Sequence, residues 1–114
     1  MPNLCTCWME SKKFANGDEM PLTGALDVGE FGTLDIVVDV ETADEGADGV
    51  LVLEHAARNV TGGYLDFPDR VTIPLTAAGK TWVKIDRFCR FLGWSLEGTL
   101  ASGAVVSTDV VAKR

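Results

Sequence analysis

Between Thr33 and Glu41 the chain alternates without a break. Leu34, Ile36, Val38 and Val40 fall on one side, and Asp35, Val37, Asp39 and Glu41 on the other. A period of two predicts an antiparallel strand with one face in a core and the other toward water. The segment V-L-V-L-E-H-A, residues 50–56, behaves differently: Val50 and Val52 oppose Leu51 and Leu53. Apolar residues on both faces predict a central strand, contacted from both sides. An acidic turn, residues 42–49, joins the two. A shorter strand at 24–28 precedes them and ends at Gly29-Glu30-Phe31-Gly32. After the turn at Thr61-Gly62-Gly63, Y-L-D-F and R-V-T-I-P-L read as short strands that Pro68 and Pro74 confine to edges or strand ends. Residues 76–80 form a loop before T-W-V-K-I-D.

The run R-F-C-R-F-L-G-W-S-L-E-G, starting at Arg87, also reads as a strand, but its parity changes. Cys89 and Phe91 share one face, whereas Leu92, Trp94 and Leu96 share the other. A bulge at Gly93 is the simplest account; failing that, the strand has two apolar faces and one of them meets a partner. A Thr-Leu-Ala-Ser-Gly link leads to A-V-V-S-T-D-V-V-A-K-R, which reads as a further strand and is expected to complete a self-contained β-module. No window carries the i, i+3, i+4 recurrence of an amphipathic helix. Short strands separated by turns every ~8–12 residues predict an all-β antiparallel fold, a β-sandwich or a barrel. Residues 1–21 show no clean period and are expected to form an irregular N-terminal arm, with the β-domain spanning 22–114. The apolar residues of the arm, Trp8, Met9, Phe14 and Met20, are costly to leave in water and should cover the module's own sheet or a neighbouring subunit.

The chain has 114 residues, 46% of them hydrophobic, which suits one domain with one core. A net charge of −7 argues against a nucleic-acid footprint, which needs clustered Lys and Arg. The charge is lopsided. Before Arg58 the basic residues are Lys12 and Lys13 alone, while Arg70, Lys80, Lys84, Arg87, Arg90, Lys113 and Arg114 follow. Solvated loops account for this; a particle with one acidic and one basic face, docking in a fixed orientation, is the sharper alternative. No apolar run nears the ~18 residues of a membrane span, so no membrane is implied. The first residues lack the order of a secretory signal, so use without export is expected. Cys5, Cys7 and Cys89 make an odd number, which excludes a full disulfide framework and favours reduced thiols.

Candidate chemistry is sparse. Asp44, Asp48 and Gly49 match positions 1, 5 and 6 of a calcium loop, but Gly46 stands at position 3 and His55 where a bidentate Glu belongs. A solvated hairpin loop is the better reading, and no metal or cofactor is implied. His55, the sole histidine, reads as a packed or surface ring, because Ser11, Ser95, Ser102 and Ser107 have no nucleophile-elbow context. Asp66 and Asp69 flank a turn too loosely for a carboxylate pair, and Asn59-Val60-Thr61 is a sequon that means little if, as expected, the protein is not exported. No catalytic set emerges, so the expectation is a protein that is not an enzyme. The aromatic residues, Tyr64, Trp82 and Trp94 among them, suit core or interface packing better than a sugar platform. The residues expected at a subunit or partner interface are Trp8, Phe14, Trp82, Phe88, Arg90, Trp94 and Leu96.

The order of the C-terminal strands carries a resemblance. An aromatic, Arg-containing run (Arg87-Phe88-Cys89-Arg90-Phe91), a link from Gly98-Thr99 to Ser102-Gly103, and the apolar strand Ala104-Val105-Val106 to Asp109-Val110-Val111 resemble the small capsid cement, or decoration, proteins of tailed bacteriophages. The likeness covers roughly residues 22–114 and is one of pattern; the Cys5–Trp8 segment has no counterpart in it. It implies a jelly-roll-like sandwich that trimerises and binds between major capsid protein subunits on the virion surface, after assembly in the host cytoplasm. A carbohydrate- or receptor-binding β-sandwich of a virion is the alternative.

Overall fold

The computed structural model describes the backbone of residues 5–14 and 26–113, and the side chains of 26–113. Among the described residues nine strands follow one another: β1 (Cys5–Phe14), β2 (Leu26–Asp27), β3 (Thr33–Thr42), β4 (Val50–Ala56), β5 (Leu65–Asp66), β6 (Thr72–Pro74), β7 (Gly79–Ile85), β8 (Phe91–Glu97) and β9 (Ala104–Lys113). They form two antiparallel sheets. One has the order β1-β9-β3-β7; the other has β2-β8-β4-β5, with β6 also on β4. Since β5 and β6 share one place beside β4, eight strand positions remain, and the chain crosses between sheets so that neighbours in space are distant in sequence. This is the connectivity of a jelly roll, and the all-β sandwich expected from the turn spacing is the fold observed.

The alternation of β3 explains how the first sheet finds its face. Leu34, Ile36, Val38 and Val40 are all buried, and in β9 so are Ala104, Val106, Val110 and Ala112. From the other sheet Leu51, Leu53, Leu92 and Trp94 meet them, with Phe67, Ile73 and Leu75 closing the side. A one-residue slip would turn every one of these positions outward, so the pattern sets the register. β4 is central, as expected. Val52, on its other face, is also fully buried. There Arg70 binds Asp66 and Glu97, residues that pair with Glu54 and Val50 on either side of Val52.

Two expectations about the strands need correction. The arm expected to be irregular contains a ten-residue strand, β1, paired along its whole length with β9. Its mixed polar and apolar residues hid a strand because an edge strand does not need two apolar faces. The second correction concerns Arg87–Arg90, which is a loop; β8 starts at Phe91, and its ladder with β4 runs without a shift from Glu97 to Phe91. The parity conflict arose from reading loop and strand as one element. Gly93 is not a bulge: the ring of Tyr64 lies where its side chain would be, 3.2 Å from a Cβ placed there.

Candidate partner interface

Trp82 is the most exposed aromatic ring among the described residues. It sits mid-way along β7, an edge strand whose one neighbour among the described strands is β3, and it is 69% exposed. Its position follows from parity. Val83 and Ile85 turn toward the core, so Lys80, Trp82 and Lys84 share the outer face. Across the ladder these pair with Asp39, Val37 and Asp35. The ring is held rather than loose: its indole N–H donates to Asp35 Oδ1 at 3.2 Å, along the diagonal of the ladder. Lys113 Nζ binds the other oxygen of Asp35 at 2.9 Å. The Lys113 ammonium, foremost, holds the Asp35 carboxyl below its usual range against the opposing effect of burial, and the Trp82 N–H and the charge of Lys84 add to it.

The other residues expected at an interface scatter. Trp94 is 8% exposed and belongs to the core, so it does not stand at a surface; its place opposite Leu53 in the inner ladder is the reason. Phe88 and Leu96 are half-buried against the same core. Arg90 is exposed but engaged: it forms a two-pronged ion pair with Asp27, with N···O distances of 2.8–3.2 Å, and lies over the ring of Phe91 at 5.1 Å. That pair fastens the β2 segment to the start of β8 beside an open hollow lined by Gly29, Glu30 and Phe31. Trp8 pairs in register with Val110, and Phe14 with Ala104; their side chains lie outside the described residues. Trp82 and Arg90 therefore remain as surface residues, and nothing brings them together.

The acidic loop is solvated at Glu45 and Asp48, as expected, but Asp44 turns inward. Asp44 is 1% exposed, not solvated. Its carboxylate accepts the backbone N–H groups of Ala101 (2.7 Å), Ser102 (3.3 Å) and Gly103 (3.3 Å), and the Ser102 hydroxyl. Burial alone would raise its pKa; the converging donors outweigh burial and lower it. Asp48 likewise accepts the N–H and hydroxyl of Thr99. Two acids that looked like half a calcium loop instead clasp the 98–103 link. The signal that was available is that this link offers successive N–H groups and needs an acceptor when buried. Asp44 and Asp48 turn to different partners, and among the described residues no trio of His, Cys, Asp or Glu gathers around a common point.

His55 is packed, as expected, and it has a task that spacing did not reveal. Its Nδ1 accepts the backbone N–H of Cys89 at 3.1 Å, and its ring stacks on Phe67 with centroids 4.1 Å apart. Burial lowers its pKa. Asp66 is engaged by Arg70. Glu54 hydrogen-bonds Ser95, while burial and the charge of Asp66 raise its pKa. Some of the charge asymmetry along the sequence is absorbed in pairs between early acids and late bases, Asp27 with Arg90 and Asp35 with Lys113. No helix of the described residues is long and apolar enough to cross a membrane.

No protein-family model matches the chain, and no curated protein is significantly similar to it.

Proposed function

We propose that the protein is a non-enzymatic capsid cement protein that binds between major capsid protein subunits and stabilises the head, acting as a trimer on the virion surface. The observation that carries this reading is Trp82: a large aromatic ring, mostly exposed, fixed by a hydrogen bond on the outer face of a sheet. Tryptophan is the residue type most enriched at binding hot spots, and a ring already held in place loses little entropy on docking. The jelly-roll architecture supports the reading, since such sandwiches are common in viral shells. So does the resemblance of the 87–111 pattern to cement proteins. The engaged state of His55, Asp44, Asp48 and Asp66 supports a structural role for these groups. The test is to add purified protein to shells assembled without it. Saturable binding to shells, weak binding to free capsid subunits and a trimeric mass in solution are expected; protein that stays unbound in the presence of such shells refutes the role.

A carbohydrate-binding role is the second reading, favoured by the same ring, because an oriented indole on a flat sheet is suited to stack on a sugar. The burial of Trp94 removes the paired-aromatic platform and leaves a single ring. Glycan titration that perturbs Trp82 without any shell binding would select this reading.

A further inference from the structure

The two sheets differ in how their edges are closed. The outer strands of the second sheet are short: β2 and β5 have two residues each, and β6 has three and ends at Pro74. These are familiar ways of blunting an edge. β7 is seven residues long, carries no proline, and pairs among the described strands with β3 alone. Among the described residues its far side pairs with no strand, and its backbone N–H and C=O groups there are ones a further strand can use.

The chemistry of such a strand can be read from β3, which already pairs with β7 on its near side. There Asp39 faces Lys80, Val37 faces Trp82 and Asp35 faces Lys84. Directly opposed unlike charges and an aliphatic–aromatic pair are favourable cross-strand partners. Lys80, Trp82 and Lys84 are all exposed, and the same three side chains are presented to a strand on the far side. Beside the end of that edge a groove of about 470 Å³ opens between β7 and the β5–β6 connection, walled by Val83, Ile85, Phe67 and Val71 and also lined by charged residues, Asp69 and Arg87 among them. Side chains of an added strand alternate between faces. Residues opposite Lys80, Trp82 and Lys84 would lie on the outer face; the one opposite Val83 would point into the groove.

From this juxtaposition we infer that the edge of β7 that pairs with no described strand accepts an extended acidic segment of a partner polypeptide, adding as an antiparallel strand in an acid–x–apolar–x–acid pattern with an apolar residue opposite Val83. A second copy of β7 is a poor occupant, because antiparallel pairing centred on Trp82 sets Lys80 against Lys84. The inference builds on the interface reading by assigning the edge and the partner's chemistry, and it does not require the partner to be a capsid subunit.

The probe is a fluorescein-labelled peptide with the sequence of residues 33–42, TLDIVVDVET, and a control in which both aspartates are lysine. The expected result is binding of the acidic peptide at least tenfold tighter than the control, with amide hydrogen exchange slowed across residues 79–85. Replacing both lysines, Lys80→Glu with Lys84→Glu, should reverse the preference between the two peptides. The milder pair Lys80→Gln with Lys84→Gln should reduce it if the first variant folds poorly. Equal binding of the two peptides by the wild-type protein, or binding without protection in β7, overturns the inference. Peptide binding without shell binding would discard the capsid role and leave the edge intact.

Discussion

Replacing Trp82 by alanine separates a binding role from a folding role. The side chain is 69% exposed, and a tryptophan buries up to about 250 Å². Roughly 170 Å² therefore remains for a partner to cover, worth at most about 4 kcal/mol at 25 cal/mol per Å². Ordering and imperfect packing reduce the realised share, and hot-spot tryptophans commonly contribute about 2–4 kcal/mol. A loss of about 2–3 kcal/mol corresponds to a roughly 30- to 150-fold weaker association. In the isolated protein the same change removes one exposed hydrogen bond and the minor buried part of the ring, so folding stability should fall by no more than about 1–1.5 kcal/mol. The assay pairs urea unfolding of the free protein with quantitative sedimentation of labelled protein on shells that lack it. Binding reduced less than about threefold, with stability as described, would refute the assignment of Trp82 to the contact. A stability loss above about 3 kcal/mol would refute the claim that the ring is free for a partner.

Gly98 tests the clasp around the 98–103 link: it has φ +75°, and a Cβ there would lie 2.5 Å from the carbonyl oxygen of Asp48. Gly98→Ala should destabilise by about 2–4 kcal/mol, combining left-handed strain with a backbone shift. Gly32→Ala, which meets nothing within 4 Å, should stay within about 0.5 kcal/mol; equal denaturation midpoints would contradict this account. His55 predicts a pH dependence. Because burial lowers its folded pKa, the unfolded chain takes up the proton first, and stability should fall as the pH drops below about 6.5 until the folded pKa is passed. Glu54, with its raised pKa, acts in the opposite sense at lower pH. The difference between wild type and His55→Asn across pH 7.5 to 5.5 isolates the histidine, and parallel profiles for the two proteins would exclude its contribution.

The fold was legible where one face of a strand is buried and the other wet. In β3 the alternation of Leu34 to Val40 identified the buried set completely, because a half-buried antiparallel strand imposes that period on its residues. β4 was legible for the opposite reason, since apolar residues on both faces leave a central position as the natural one. β1 was not legible, because partners on one edge and one face suffice for a strand of mixed composition. The start of β8 was misread because Phe88 and Cys89 are as apolar as a strand yet serve a loop that His55 holds by its Cys89 N–H. At the candidate interface, Trp82 and Trp94 are alike in sequence context, each flanked by apolar and polar neighbours. Parity and strand order distinguish them: Trp94 faces inward on a central strand, and Trp82 faces outward on an edge.

The placement of the acids carries the argument for assembly further. In the 44–48 loop Asp44 is consumed inside the fold, and Asp48, though exposed, is engaged on the same link that precedes β9. Asp35 and Asp39 instead lie on the outer face of the first sheet, opposite the lysines of β7. Had those lysines faced apolar neighbours, an added strand would have to supply all their counter-charge. Because β3 already opposes them with acids, they can stand at the edge without raising the local potential, while still repelling another copy of β7. An edge so arranged resists self-association through like charge and keeps its hydrogen-bonding groups for a strand of opposite sign. Trp82, fixed between the two lysines by Asp35, then supplies the apolar contact that charge pairing at an exposed edge cannot, since exposed ion pairs contribute little by themselves. The combination yields selectivity from charge and affinity from one ring, the division that the proposed binding to a repeated surface calls for.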